Sequence, residues 1–77
     1  MSKKIIYYPE ATILKSYDTF VAIKRTVAED IVTDKHYSKT TTRQINEFFG
    51  GAEVTKGAEK VSQELLDVMG KFIEAHQ

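Results

Sequence analysis

Hydrophobic residues alternate with polar ones through the first half of the chain and recur every three or four residues through its last third. Alternation is typical of a half-buried β-strand, whereas the longer interval is typical of an amphipathic helix. The change of pattern near Ser38 predicts an α+β fold in which strands come first and helices follow. We expect a small antiparallel sheet of about three strands followed by two helices packed on one face, in the order βββαα.

The first strand is predicted from Lys3 to Tyr8. It ends before Pro9, which has no amide hydrogen to donate to a neighbouring strand. Residues 12 to 17 allow two interpretations, because Pro9 at a first helical position could instead start a helical turn. Thr12 and Ile13 favour an extended segment there, since β-branched residues are enriched in strands.

The clearest strand is predicted from Thr19 to Val27, where apolar residues alternate between the two faces. A turn at residues 28 to 30 joins it to a strand from Ile31 to Tyr37, so the two strands form a hairpin. The second of these strands carries more charge, as an edge strand requires to discourage pairing with another chain. The core face of the first is expected to hold Val21, Ile23 and Val27.

The first helix is predicted to begin near Thr41. Thr41 and Gln44 have the spacing of a capping box, in which the threonine hydroxyl accepts from a helical amide and the glutamine reaches back to the cap. Gly50 and Gly51 follow the apolar residues of this helix and predict a left-handed exit. The apolar stripe that docks on the sheet consists of Ile45, Phe48 and Phe49.

The second helix is predicted from about Thr55 to Ala75, with a narrow apolar stripe that widens in the second half. The narrow stripe suffices to pack one face on a small sheet. The widening residues therefore indicate a contact with the first helix or with a second subunit, and the sequence favours neither. Gly70 falls on the charged face, where we expect it to be tolerated near a fraying end. The narrow stripe comprises Ala58, Val61, Leu65, Val68 and Phe72, and the widening comprises Leu66, Met69 and Ile73.

Length and composition narrow the classes of protein. Seventy-seven residues predict a single domain over residues 1–77 with a thin core. No cysteine is present to form disulfides, so dimerisation is the expected additional source of stability. Eleven basic and eleven acidic residues cancel, which argues against a strong overall field toward nucleic acid or an anionic membrane. The lack of cysteine and of a long apolar segment favours a cytoplasmic protein without a membrane partner.

The two histidines do not indicate a metal or catalytic site. His36 and His76 each lack a companion at the spacing of metal ligands, and the serines are of a surface type. An enzyme would require His36 to lie in a cleft. We therefore expect a non-enzymatic protein with no metal, no cofactor and no small-molecule substrate.

The run from Tyr37 to Gln44 combines hydroxyls and cations at the start of the first helix. Amides at a helix start point outward without intrahelical partners, and together with the helix dipole they favour an anion. A phosphate or carboxylate site is one interpretation. The other, which the sequence favours, is that the hydroxyls cap the helix and fill the corner before it. The candidate anion or nucleic-acid-binding residues are Lys39, Thr40, Thr41, Arg43 and Asn46.

Three short segments carry a resemblance to a known group of proteins. Residues 16–23 (SYDTFVAI), 37–41 (YSKTT) and 45–48 (INEF) resemble small uncharacterised proteins encoded by bacteriophages and prophages, in which a similar strand precedes a similar entry into a helix. The likeness covers about residues 13 to 49. It implies a phage accessory role in a bacterial cytoplasm and brings no catalytic residues.

The sequence thus predicts a protein that works by binding a protein partner or a second copy of itself. Leu66, Met69 and Ile73 are the predicted contact residues, because clustered exposed apolar side chains mark interfaces. The alternative is a nucleic-acid-binding module that uses the helix start at Lys39–Arg43.

Overall fold

A computed structural model describes residues 3–76 and shows an α+β fold with a five-stranded mixed sheet and three helices. The strands lie in chain order across the sheet. The first four are antiparallel to their neighbours, and the fifth runs parallel to the fourth. The elements are β1 Lys3–Tyr7, β2 Ala11–Ser16, β3 Thr19–Arg25, β4 Ile31–Thr33, α1 Lys39–Phe49, α2 Ala52–Gly57, β5 Glu59–Val61 and α3 Gln63–Ala75.

The predicted α+β class is confirmed, but the arrangement of the layers differs from the prediction. Leu66 of α3 packs on one face of the sheet, whereas Ile45 and Phe49 of α1 pack on the other. Parallel neighbours need a crossover connection, and α1 with α2 forms the crossover from β4 to β5. The sheet is therefore covered on both faces, and the expectation of two helices on one face is wrong.

The segment that allowed two interpretations, residues 12 to 17, is largely a strand, because β2 covers it up to Ser16 and lies between β1 and β3. Its side chains are buried on both faces, with Ile13 toward α3 and Leu14 toward α1. A two-residue turn joins β2 to β3, and Tyr17 and Asp18 adopt positive φ angles of 52° and 63° in it. Two successive positive φ angles match the hairpin turns whose twist fits the strands they connect.

β3 contains a bulge that the alternating pattern did not predict. The β2–β3 register shifts by one residue, which leaves Val21 without a partner in β2. The bulge turns both Val21 and Ala22 toward α1, while Phe20 and Ile23 face α3. Val27 lies beyond the end of β3 and is 93% exposed, so its predicted place in the core is wrong.

β4 forms the predicted hairpin with β3, but it is shorter than predicted and does not lie at an edge. It ends at Thr33, its three residues are all buried, and β5 pairs with its other side. Asp34 and Lys35, whose charge suggested an edge strand, lie in the loop that follows. The outer strands of the sheet are β1 and β5.

The predicted helix from Thr55 to Ala75 is wrong, because this segment contains three elements. Gly57 is the last residue of α2, and β5 follows as a short edge strand. Ser62 then caps α3, with its Oγ accepting a hydrogen bond of 3.2 Å from the Leu65 amide. Gly57 and Ser62 were the signals of this interruption, since glycine ends helices and serine begins them.

Two glycines have definite structural roles. Gly50 ends α1 with a φ angle of 98°, which confirms the predicted left-handed exit. Gly70 is buried, and a Cβ built on it would lie 2.5 to 2.8 Å from ring atoms of Phe20. Only a residue without a side chain lets α3 approach β3 this closely. The prediction that Gly70 is merely tolerated on a charged face is therefore wrong.

Candidate interaction surfaces

Ser38 caps α1, and the hydroxyls after it serve the helix start. Ser38 Oγ accepts a hydrogen bond of 3.1 Å from the Thr41 amide and donates to Thr41 Oγ1 over 3.2 Å. The Thr42 hydroxyl donates to the Ser38 carbonyl oxygen over 3.0 Å. The predicted capping box of Thr41 and Gln44 is wrong, because Ser38 takes the capping position and Gln44 points into the protein interior.

A buried polar contact joins α1 to β2. Ser16 Oγ donates to Gln44 Oε1 over 2.9 Å and lies 3.4 Å from Thr41 Oγ1. All three side chains are buried. Within residues 3–76, Gln44 Nε2 has no hydrogen-bond partner, which is uncommon for a buried amide. Apolar packing around this contact therefore contributes most of the docking of α1.

The structure separates the predicted anion-binding residues from one another. Thr41 is buried in the contact with Ser16, so it does not face a ligand. Thr40 and Arg43 are exposed. They line a groove of about 350 Å³ in which Lys3 pairs with Glu47. This groove already contains a carboxylate and is therefore not a dedicated site for a small anion.

A second groove lies between α1 and the end of β4, with a volume of about 260 Å³. Asn46 opens into this groove rather than the first one. Lys39 is exposed on the first turn of α1. His36 is exposed as well and lies in the lining of the second groove. The cationic and polar members of the lining include Lys35, His36, Tyr37, Thr42, Asn46 and Lys60.

Tyr37 connects the loop before α1 to the start of α3. Its hydroxyl donates a hydrogen bond of 2.7 Å to Gln63 Oε1. Burial raises the pKa of Tyr37 above its ordinary value of 10.0, and the carboxylate of Asp67 raises this pKa further. The phenol therefore stays protonated at neutral pH and keeps its role as a donor.

The outer face of α3 carries an apolar surface, which we call the α3 stripe and define as Leu65, Val68 and Phe72. These side chains are 48%, 64% and 62% exposed, respectively. Their spacing of three and then four residues places them on one side of the helix. An apolar groove of about 330 Å³ runs beside the stripe. It is lined by Arg25, Val68, Met69, Phe72 and Ile73.

Of the predicted contact residues Leu66, Met69 and Ile73, Leu66 does not reach the surface, whereas the other two line the apolar groove. Leu66 has 0% exposure and lies in the core, while Met69 and Ile73 are partly buried against that core. The α3 stripe, which the sequence placed in the core, faces outward instead. Both sets have the same three-and-four spacing, so spacing alone could not decide which one faces the sheet.

The described residues contain neither a membrane-spanning helix nor a cluster of metal ligands. No helix between residues 3 and 76 has the length and hydrophobicity needed to cross a membrane. In the same part of the chain, no three or more His, Cys, Asp or Glu side chains are grouped so that they could hold a metal ion.

The fold and its surfaces define a small α+β domain with an exposed apolar stripe on α3. Residues 1–67 match the model of a family of unknown function, DUF8033, and the chain belongs to this family. The match spans the five strands, α1, α2 and the first turn of α3. Val68 and Phe72 lie beyond it. Neither a search of curated proteins nor a search of solved structures finds a match to the chain.

Proposed function

We propose that this protein is a non-enzymatic binding module that acts by protein–protein contact, and that it associates with a second copy of itself through the α3 stripe. The observation that carries the proposal is the exposure of Leu65, Val68 and Phe72 in one continuous row. Single exposed apolar residues are ordinary on protein surfaces, but contiguous ones mark interaction sites. The α3 stripe, and not the buried Leu66, is therefore the centre of the proposed contact between copies.

The spacing of the stripe suits a helix from a second copy. Intervals of three and four residues form the seam along which paired helices bury their apolar side chains. A two-fold axis across α3 would bring the stripe of one copy against the stripe of the other, as in the isologous interfaces of symmetric dimers. The interface is therefore closed, and it does not extend into a filament.

Charges beside the stripe favour an antiparallel pair. Glu64 and Lys71 are seven residues apart and lie on the same side of the helix. In an antiparallel pair, Glu64 of one copy lies near Lys71 of the other, and the two-fold axis repeats the contact. Such rim pairs determine orientation more than affinity. The apolar groove with Met69 and Ile73 provides further contact area beside the stripe.

The absence of catalysis and the biological setting are further parts of this proposal. The hydroxyls of Ser16, Ser38 and Thr41 bond with one another and with Gln44 instead of with a histidine, which supports a structural role for them. An accessory role in a phage, within a bacterial cytoplasm, rests on the resemblance of residues 13 to 49. The description of the DUF8033 family names no origin.

Sedimentation equilibrium over a series of protein concentrations tests the self-association. We expect a dimer at concentrations on the order of tens of micromolar. Val68→Glu and Phe72→Glu should each give a monomer, because either change buries an unpaired carboxylate in the interface. Val54→Glu is the matched control, since Val54 is 50% exposed and lies on α2, in the crossover on the side of the sheet opposite α3.

The Val54→Glu variant should remain dimeric. A wild-type monomer throughout the concentration series would overturn the self-association. Equal loss of dimer in Val54→Glu and Val68→Glu would show that added charge, and not the α3 stripe, controls the association.

A further inference from the structure

Basic and acidic residues are equal in number in the sequence, but the fold distributes them unequally around the sheet. In the described range 3–76, seven cationic and three acidic side chains lie on α1 or α2, contact α1, or line the groove between α1 and β4. Because the chain has eleven of each sign, the rest of the molecule has four cations and eight acids. The cations of this cationic face are Lys3, Lys24, Lys35, Lys39, Arg43, Lys56 and Lys60, and its acids are Asp34, Glu47 and Glu53.

Contacts with α1 place the cations that come from other elements. Lys3 Nζ of β1 lies 3.8 Å from the carboxylate of Glu47. Lys24 Nζ of β3 lies 5.7 Å from the centroid of a phenylalanine ring on α1. Lys35 and Lys60 line the groove between α1 and β4. The cationic face is therefore a product of the crossover and the sheet order, and its members are distant in sequence.

We propose that the cationic face binds the phosphate backbone of nucleic acid. Its cations are distributed over three strands, two helices and a loop, so one small anion cannot contact most of them. An extended polyanion can, and release of its counterions then favours binding. A local excess of positive charge also steers such a ligand even when the whole protein is neutral.

Polar groups between the cations favour nucleic acid over an acidic protein. Thr40 offers an exposed hydroxyl along α1, and Asn46 offers a partly exposed amide, whereas the Thr42 hydroxyl already donates to the Ser38 carbonyl. Hydroxyls and amides, together with lysine and arginine, supply most contacts to phosphates and sugars. The groove beside Asn46 also includes the ring of Tyr37, which is 38% exposed, and Lys35 Nζ lies 5.2 Å from the centroid of this ring, so an aromatic ring and a cation lie together there.

Nucleic-acid binding is independent of the proposed dimer, because the α3 stripe lies on the other side of the sheet. Variants of the α3 stripe test one proposal, and variants of α1 test the other. Lys39 and Arg43 are the best positions for the second test, since both are exposed and neither side chain takes part in an ion pair of the described residues.

The experiment is a fluorescence-anisotropy titration of three labelled ligands: a single-stranded DNA, the RNA of the same sequence and the corresponding DNA duplex. Each is titrated at several salt concentrations from about 50 to 200 mM. Lys39→Ala and Arg43→Ala are compared with Lys4→Ala, which removes an exposed cation on the opposite face. Lys4 faces away from α1 because neighbouring strand residues alternate and Lys3 contacts α1.

We expect salt-dependent binding of at least one ligand, and the three titrations identify which nucleic acid supplies the phosphates. For a single strand, each α1 variant should reduce the slope of log K against log salt by about 0.7, and the double variant by about 1.4. Lys4→Ala should leave the slope unchanged. Thermal unfolding of each variant confirms that it is folded.

Three outcomes would overturn the proposal. One is the absence of binding to all three ligands at low salt. Another is a loss of affinity in Lys4→Ala as large as the loss in Arg43→Ala. The third is equal affinity for labelled poly-glutamate, which would show that any polyanion suffices and that the ligand is not recognised as nucleic acid.

Discussion

Two glutamines join helices to the sheet, one in α1 and one in α3, and their hydrogen bonds are satisfied to different degrees. Gln44 of α1 accepts one bond from Ser16, and its Nε2 has no partner within residues 3–76. Gln63 of α3 makes four bonds. Its Nε2 donates to Phe20 O and Asp67 Oδ1, and its Oε1 accepts from the hydroxyls of Thr33 and Tyr37.

The difference shows which helix is held more specifically. Satisfied polar networks rigidify a contact, whereas a buried unpaired amide costs about 1 to 3 kcal/mol. α3 also has the close approach of Gly70 to Phe20 and an ion pair of 3.1 Å between Lys15 and Glu74. The orientation of α3, and with it the outward direction of the α3 stripe, is therefore fixed by several directional contacts. α1 is held mainly by apolar packing.

The largest expected effect is that of Gln63→Leu. Four partners lose a hydrogen bond, and each bond contributes about 0.5 to 1.5 kcal/mol net. We expect the free energy of unfolding, measured by urea denaturation, to fall by roughly 2 to 4 kcal/mol. The matched variant is Gln44→Leu, the same change in α1. Equal losses at the two positions would contradict the comparison.

An intermediate effect is expected for Gly70→Ala. The added Cβ would meet the Phe20 ring at 2.5 to 2.8 Å, so the helix or the ring must move. Overpacking costs about 1 to 3 kcal/mol, and alanine regains about 1 kcal/mol of helix propensity. We expect a net loss of up to about 2 kcal/mol by urea denaturation. A Phe20→Leu change should lose less stability in the Gly70→Ala background than in the wild type, and additive losses would show that the two residues are not coupled.

The smallest effect is expected for Gln44→Leu. The change removes an amide whose Nε2 has no partner in the described chain, and Ser16 keeps Thr41 as a neighbour at 3.4 Å. The two side chains are similar in volume, so the free energy of unfolding should change by less than about 1 kcal/mol. A loss above that limit in the same urea experiment would mean that the Ser16 contact fixes α1 more firmly than its single bond suggests.

Local sequence patterns were sufficient to predict the ends of elements that depend only on neighbouring residues. Pro9 ended the first strand and Gly50 ended α1, because each acts through its own backbone. The candidate surfaces were less accessible to prediction. The cations of the α1 face come from six separate elements, and their excess over acids exists only after the chain has folded. The side of α3 that faces the sheet depends on where the helix begins, and Ser62 sets that start after β5.

The sequence by itself determined the α+β class, the antiparallel hairpin of β3 and β4 and the helix that ends at Gly50, because periodicity, turns and glycine exits are local properties. Only the tertiary structure decided that β5 pairs parallel to β4, that Leu66 points inward and that the α3 stripe points outward. Those outcomes depend on contacts between distant segments. The approach of Gly70 to Phe20 sets the rotation of α3, and the crossover through α1 sets which side of the sheet becomes cationic.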